Sequence, residues 1–176
     1  MPAADGAPFV LETPRLALRR FTREDADFIL ELLNDPSWIR FIGDKGVRSL
    51  EDARRYLEAG PMGLYEKHGF GLWAVERKPD GERLGMCGLV KRDQLAHVDL
   101  GFAFLPRHRT RGYARESAKG VLAHARDALR LTRLAAITMP ANDASARLLG
   151  KLGFVLEDTL EWTPGDPVHL YGWSAA

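Results

Sequence analysis

The chain is poor in several features that would each identify a class of protein. Cys87 is its only cysteine, which excludes an intrachain disulfide and a zinc site built from cysteines. No apolar run approaches the roughly 20 residues of a membrane-spanning helix. The segment Met1 to Pro8 lacks the basic and apolar regions of a signal peptide. These absences predict a cytoplasmic protein with no membrane partner and with a flexible N-terminal tail over residues 1–8.

The chain also lacks an excess of positive or of negative charge. The 25 Lys and Arg residues are balanced by 24 Asp and Glu residues, which gives a net charge of +1. This balance argues against a polycation that binds nucleic acid over its whole surface. The chain has 176 residues and no internal repeat, low-complexity tract or Pro/Ser-rich linker. Its length and composition predict a single domain over residues 9–176 with a substantial core.

Two familiar phosphate loops are missing, because neither a Gly-Lys-Ser/Thr ending nor three spaced glycines occurs. The chain has instead an apolar strand, Val98 to Leu105, which leads through a basic turn into a helix from Ala114. Five Lys or Arg residues lie between Arg107 and Lys119, against the single acid Glu116. A helix N-terminus presents unpaired N–H groups and the positive end of its dipole, so this turn predicts an anion site. The positive charge is confined to one turn without a recognition motif, which argues against nucleic acid.

The periodicity of the whole chain predicts an α/β (α+β) protein of seven strands and four helices in the order βααβββαβαββ. Strands two to four have short links and must be antiparallel neighbours. Strands four and five are joined through a helix and should be parallel. The strands are placed at residues 9–21, 70–76, 84–91, 98–105, 133–139, 154–159 and 168–173, and the helices at 22–33, 49–60, 114–129 and 142–153.

The basic turn resembles the pyrophosphate-binding signature of the GNAT superfamily of acyl-CoA-dependent N-acyltransferases, and the element order is that of the GNAT fold. The resemblance covers nearly the whole chain and is closest to the branch that includes the ribosomal-protein N-terminal (alanine) acetyltransferases. It implies a mixed, largely antiparallel sheet flanked by helices, with strands four and five splayed apart. The segments that carry it are Leu11-Glu12-Thr13-Pro14-Arg15-Leu16, Gly81-Glu82-x-Leu84-Gly85, Asp99-Leu100-Gly101-Phe102, Arg109-x-x-Gly112-x-Ala114, Asn142-x-x-Ser145 and Leu152-Gly153-Phe154.

The resemblance also implies acetyl-CoA as co-substrate, with no metal. Backbone N–H groups from Arg109 through Ala114 would hold the pyrophosphate. The backbone of Phe102 to Leu105 would pair with the pantetheine arm, and an N–H near Phe104 would bind the oxyanion. The residues assigned to the cofactor are Phe102, Phe104, Leu105, Arg109, Arg111, Gly112, Tyr113, Ala114, Arg115 and Asn142.

For catalysis, the resemblance implies Asp99 as the general base on strand four and Ser145 as the acid for the thiolate. The residues themselves leave alternatives open. Asp99 reads equally well as a solvated carboxylate at a strand end, and Asn142 and Ser145 as an N-cap and a first-turn residue. His97 is a weaker candidate base. Many family members have a tyrosine seven residues after the Asn, and here Leu149 replaces it.

The predicted activity is transfer of an acetyl group from acetyl-CoA to a primary amine, preferably an α-amino group of a protein or peptide. Two alternatives stay open: acetylation of a small amine such as an amino acid, polyamine or drug, and a catalytically silent CoA-binding protein. The segment 37–48, which contains Trp38 and Phe41, predicts either a lining for the acceptor pocket or simple packing. The chain is expected to be a monomer or a homodimer.

Overall fold

The computed structural model describes residues 9–176, so the predicted tail over residues 1–8 lies outside the described residues. Eight strands are present in this part of the chain. They are β1 (Phe9–Glu12), β2 (Leu16–Arg19), β3 (Leu72–Arg77), β4 (Arg83–Val90), β5 (Asp99–Phe104), β6 (Arg133–Thr138), β7 (Val155–Thr163) and β8 (Asp166–Ser174).

Six α-helices accompany the strands in residues 9–176. They are α1 (Ala26–Leu33), α2 (Pro36–Phe41), α3 (Leu50–Leu57), α4 (Gly63–His68), α5 (Tyr113–Asp127) and α6 (Asp143–Lys151). Short 3-10 turns precede α1 and α5, and a π-helical segment, Glu58–Met62, joins α3 to α4. None of the helices described is long and apolar enough to cross a membrane.

The strands form one mixed sheet in the order β1-β2-β3-β4-β5-β6-β8-β7. Neighbours are antiparallel except β5 and β6, which are parallel and joined through α5. This confirms the predicted fold class, since β5 and β6 are the strands that the sequence analysis numbered four and five. The element order is also confirmed, apart from three additions: a second strand in the first hairpin, α2, and the short α4.

The first predicted strand is wrong in one respect, because it is a hairpin of two strands. The Thr13 N–H donates to the Leu16 carbonyl at 2.8 Å, which closes a turn around Pro14. The strands on either side then pair, from Phe9 opposite Arg19 to Glu12 opposite Ala17. The sheet therefore has eight strands rather than seven.

The second addition is α2, which lies in the segment expected to be irregular. Asp35 accepts a hydrogen bond from the Trp38 N–H as the N-cap, and Pro36 occupies the first helical turn. A proline fits there because its missing N–H would have no helical partner. The side chain of Trp38 is 5% exposed and packs in the core. For this residue, the packing alternative is correct.

Two hydrophobic clusters pack on opposite faces of the sheet. In β3, Trp73 and Val75 belong to the cluster under α5, whereas Ala74 belongs to the cluster under α1 and α3. This alternation is the period of two that a strand imposes on its side chains. Burial of each large side chain contributes about 1.5–3 kcal/mol of transfer free energy, so both faces hold β4 and β5 firmly in the middle.

Candidate active site

The sheet opens between β5 and β6. Their pairing has one position, Asp99 opposite Ala135, where the Ala135 N–H donates to the Val98 carbonyl at 2.9 Å. On its other side, β5 pairs with β4 along its full length, from Asp99 to Phe104. Beyond Asp99, β5 therefore has a neighbour on one side and a gap on the other. This is the splay that the sequence analysis expected.

The backbone of β5 offers hydrogen-bonding groups to this gap. The Leu105 N–H donates to Leu84 just beyond the end of β5, at 3.0 Å. Because alternate residues of an antiparallel pair turn to the same neighbour, Phe102 and Phe104 turn their N–H and C=O groups toward the gap. The Phe104 carbonyl accepts a bond from Arg109 Nε at 3.0 Å. The two groups of Phe102 and the N–H of Phe104 remain for an extended ligand.

A cradle of backbone N–H groups lies at the start of α5. Gly112 is the N-cap, with φ 80°, and no side chain caps the helix. Thr110 is also left-handed, with φ 63°. The Glu116 N–H donates to the Gly112 carbonyl at 3.0 Å. The N–H groups of Tyr113, Ala114 and Arg115 therefore lack helical partners and can hold an anion.

Arg109 supports this cradle with its side chain. Besides the bond to Phe104, Nη1 donates to Ser37 Oγ at 2.9 Å and Nη2 to Asp35 Oδ2 at 3.1 Å. All three nitrogens of the guanidinium are engaged. The Arg109 side chain thus joins the loop to β5 and α2. Its backbone N–H donates to the Pro106 carbonyl at 3.2 Å, so the free N–H groups of the cradle lie further along the loop.

The other arginines of the basic turn differ in whether their side chains form ion pairs. Arg107 donates to Glu31 and is engaged. Arg111 and Arg115 are exposed, and neither forms an ion pair within residues 9–176. These two side chains supply the positive field beside the cradle.

The β1–β2 turn braces the cradle through contacts that the sequence analysis missed. Arg15 Nε lies 2.6 Å from Glu116 Oε2, and Arg15 Nη1 donates to the Arg111 carbonyl at 3.0 Å. Thr13 Oγ1 donates to Glu116 at 2.6 Å, and the Arg15 guanidinium lies 4.6 Å from the centroid of the Tyr113 ring. Burial acts to raise the pKa of Glu116, but the bonds from Thr13 and Arg15 outweigh it and lower that pKa. Glu116 is therefore an ionised link from α5 to the first hairpin.

Asp99 is buried beside the closed end of the gap. Asp99 is 1% exposed, so the alternative that it is a solvated carboxylate at a strand end is wrong. Arg92 Nε lies 3.2 Å from Oδ1 and 3.4 Å from Oδ2. Burial raises the pKa of Asp99 to about 6, against the opposing effect of the Arg92 charge. A carboxyl group with this pKa is mostly ionised at neutral pH and is suited to accept a proton.

Side chains from distant segments meet around Arg92, the partner of Asp99. The Arg92 guanidinium lies 5.8 Å from the centroid of the Trp162 ring on β7. Burial raises the pKa of Tyr56 on α3, and the nearby Arg92 charge acts to lower it. We call Tyr56, Arg92, Asp99 and Trp162 the Arg92 cluster. Its members come from α3, the β4–β5 connection, β5 and β7, so no local motif could have revealed it.

The comparison with protein families decides which chemistry this arrangement serves. The model described as "Acetyltransferase (GNAT) domain" matches residues 15–155. The chain belongs to the GNAT acetyltransferase family. One relative, the uncharacterized N-acetyltransferase YoaA of Bacillus subtilis, is 32% identical over 152 residues, which are 86% of this chain and 85% of YoaA. The uncharacterized protein YkkB of the same organism is 30% identical over 92% of this chain and 93% of its own.

Solved structures share the fold at lower identity. A GNAT acetyltransferase from Bacillus anthracis has a TM-score of 0.78 at 23% identity and covers 93% of this chain and 97% of its own. RimL, a ribosomal L7/L12 alpha-N-protein acetyltransferase, has a TM-score of 0.83 at 16% identity and covers 99% of each chain. RimL has also been solved in complex with coenzyme A.

In this GNAT acetyltransferase, the start of α6 is capped by Asn142, as one alternative predicted. Its Oδ1 accepts a bond from the Ser145 N–H at 3.2 Å. Ser145 is half-buried, and its Oγ makes no hydrogen bond to another group of residues 9–176. Leu149, at the position of the missing tyrosine, is 1% exposed and packs in the core. Capping uses the oxygen of Asn142 and leaves the Ser145 hydroxyl for another role.

Two further side chains differ in their accessibility. His97 is exposed on the β4–β5 connection. Cys87 is fully buried in β4, and burial raises the pKa of its thiol to about 12, so the thiolate is not formed at neutral pH. Within residues 9–176, no group of three or more His, Cys, Asp and Glu side chains could hold a metal ion.

Proposed function

We propose that this GNAT acetyltransferase moves an acetyl group from acetyl-CoA directly to the α-amino group of a protein or peptide, with residues 9–176 as one catalytic domain. The observation that supports it most is the position of three features along β5. The unpaired N–H groups of the cradle follow its C-terminal end, the free backbone edge of Phe102 and Phe104 lies between, and buried Asp99 lies at its N-terminal end. A diphosphate, an amide-containing arm and a reacting amine would be held in that order.

The donor is held mainly by backbone groups in this proposal. The N–H groups of the cradle, those of Tyr113, Ala114 and Arg115, bind the pyrophosphate, with the side chains of Arg111 and Arg115 adding charge. The Phe104 N–H and the Phe102 carbonyl, which face the gap, pair with the pantetheine arm as a strand pairs with its neighbour. The Leu105 N–H is bonded to Leu84 and takes no part. The Phe102 N–H, which is the free donor nearer to Asp99, points into the gap and stabilises the oxyanion of the tetrahedral intermediate. The Tyr113 ring is 8% exposed beneath Arg15, so this residue contributes its backbone.

Asp99 is the general base in this proposal, and its pKa favours an α-amine. An α-ammonium has a pKa of about 8, so moving its proton to a carboxylate of pKa about 6 is uphill by about 3 kcal/mol. A lysine, with a pKa of about 10.4, would raise that difference to about 6 kcal/mol. Arg92 covers the carboxylate, so the acceptor exchanges its proton with Asp99 through a bridging water.

Ser145 is the acid in this proposal, and the demand on it is small. A thiol has a pKa of about 8.5, so the thiolate leaves readily and needs at most a hydrogen bond from the hydroxyl. Asn142 positions Ser145 through the N-cap bond, and its amide nitrogen is available to the pantetheine arm. This arrangement compensates for Leu149, which has no hydroxyl.

Thiol release from acetyl-CoA tests the acceptor class. The acceptors are a peptide with a free N-terminus, the same peptide blocked at its N-terminus and carrying one lysine, and a set of small amines. We expect release with the free peptide and little with the blocked one. Turnover of the blocked peptide, or of small amines alone, would contradict the proposal. The product mass identifies the modified nitrogen.

A further inference from the structure

We propose that Arg92 forms an anion subsite in the acceptor pocket, which selects an α-amine that carries a carboxylate a few bonds away. Two sources share this chemistry: a peptide whose first residue is Asp or Glu, and a free α-amino acid. The inference rests on the proposed function, because it describes the acceptor of that same site. It adds a selection by charge that neither the fold nor the family assigns.

The Arg92 guanidinium is bonded along one edge only. Nε contacts Asp99, and the two terminal nitrogens make no hydrogen bond or ion pair within residues 9–176. The side chain is 37% exposed, so these nitrogens are accessible. The planar fork of arginine matches the two oxygens of a carboxylate with parallel hydrogen bonds. Arg92 therefore has an open edge for an acidic group.

The cluster also fixes the position of this fork. Asp99 holds Nε from the buried side, and the Trp162 ring lies 5.8 Å from the guanidinium carbon. Arginine stacks on aromatic faces, and a side chain restrained in this way loses little further freedom when a ligand binds. Tyr56 adds a half-buried wall from α3. The fork is thus prepared before the acceptor arrives.

The two charges of the pair match an acceptor with two opposite charges. Asp99 attracts the ammonium, and the open edge of Arg92, which is part of the same ion pair, attracts the carboxylate. Both groups of the acceptor must then lie within a few bonds of each other. An acceptor whose carboxylate binds the guanidinium also weakens the ion pair between Arg92 and Asp99. Since the Arg92 charge acts to lower the pKa of Asp99, the base becomes stronger when an acceptor is bound.

The test uses matched acceptors that differ by one charge. One pair is a peptide that begins with Asp and the same peptide beginning with Asn, and the other is alanine and alaninamide. The measured quantity is the ratio of kcat/KM within each pair. We expect the wild type to prefer the anionic member by about tenfold, as a charge-assisted bidentate contact provides. The pair that shows the preference identifies the source of the carboxylate.

Variants assign the preference to Arg92. Arg92→Gln should bring the ratio close to one, and Arg92→Lys should give an intermediate ratio because the charge stays but the fork is lost. Arg126→Gln, which removes an exposed charge at the end of α5, should leave the ratio unchanged. A substitution that alters the base Asp99 changes kcat/KM for both acceptors of a pair, so this effect cancels in the ratio. If Arg92→Gln does not fold, Trp162→Leu tests the same point and should lower the ratio severalfold.

The outcomes separate this inference from the proposed function. Equal acetylation of both peptides by the wild type would leave the peptide acceptor standing and overturn the subsite. A preference that survives in Arg92→Gln would also overturn it. If no amine is acetylated although acetyl-CoA binds, the proposed acceptor fails and the subsite fails with it.

Discussion

The two ends of β5 are built in different ways. At its C-terminal end, the chain continues into the cradle, and the groups offered to a ligand are the backbone N–H groups of the consecutive residues Tyr113, Ala114 and Arg115. At its N-terminal end, Asp99 is paired with Arg92, and Trp162 and Tyr56 approach Arg92 from separate segments. One end depends on backbone conformation and the other on side-chain identity.

This difference matches the two substrates of an acetyltransferase. The donor is the same for every member that uses acetyl-CoA, so a site of backbone groups can serve chains with different side chains. The acceptor varies, and selectivity for it must come from side chains that differ between relatives. We therefore expect substitutions at the two ends of β5 to separate donor binding from acceptor chemistry.

Replacing Asp99 with Asn should give the largest effect and confine it to the acceptor end. Loss of a general base typically costs about 10²–10³-fold in rate, so kcat should fall by about that factor. The KM for acetyl-CoA should change little, because the cradle is untouched. Asp93→Asn is the matched control, since Asp93 is exposed on the same connection. Steady-state kinetics with the preferred amine measures kcat and the KM for acetyl-CoA. A comparable fall of kcat in Asp93→Asn would contradict the assignment of Asp99 as the general base.

The buried charge of Asp99 should also appear in the stability of the protein. The folded pKa is about 6 and the ordinary value is 3.8, so the folded state holds its proton longer than the unfolded state. Stability contributed by Asp99 is therefore lost as pH rises from about 4 to about 6, by about 3 kcal/mol in all. Asp25, whose pKa is lowered because Arg19 and Thr22 outweigh its burial, contributes in the opposite sense.

Urea unfolding of the wild type and Asp99→Asn across this pH range isolates the effect of Asp99. Asn cannot ionise, so the variant should gain stability relative to the wild type as pH rises. The gain should level off above pH about 6, where Asp99 is ionised in both states. A constant difference between the two proteins would mean that the folded pKa is not raised.

The sequence predicted those parts that local patterns encode. Helical spacing and strand alternation placed most of the sheet, and the turn before α5 identified the cradle because its residues are consecutive. Two local errors came from proline. Pro14 lies in a turn that divides the predicted strand over residues 9–21, and Pro36 begins α2 in a segment where the sequence predicted no helix.

Contacts between distant segments could not be predicted in the same way. Glu116 stood out as the single acid of a basic turn, but its partner Arg15 is 101 residues away. Trp162 reaches Arg92, the partner of buried Asp99, only because β7 folds toward the β4–β5 connection. The burial of a charge is set by the whole fold, so its pKa and its role have no local signal.

Replacing Gly112 with Val should act at the donor end. Its φ of 80° is strained for a branched residue, and an added Cβ would lie 3.3 Å from Arg15 Nη2. We expect the Kd and KM for the donor to rise about tenfold as the cradle shifts. Gly81→Val is the matched control, because Gly81 has φ 68° and open space around it. Both variants should lose similar stability, and calorimetric titration with coenzyme A should show weaker binding in Gly112→Val alone.

Ser145→Ala should give the smallest effect, because the leaving thiolate needs little help. Ser145 contributes one hydroxyl, half-buried at the start of α6 and free of other bonds in residues 9–176. Loss of one hydrogen bond to an anionic leaving group should lower kcat by about fivefold. The backbone bond from Ser145 to Asn142 remains, so the helix cap and the donor KM should be preserved. Ser145→Thr keeps a hydroxyl and should recover most of the rate. Equal rates for Ala and wild type would instead assign to Ser145 only its backbone bond in the cap.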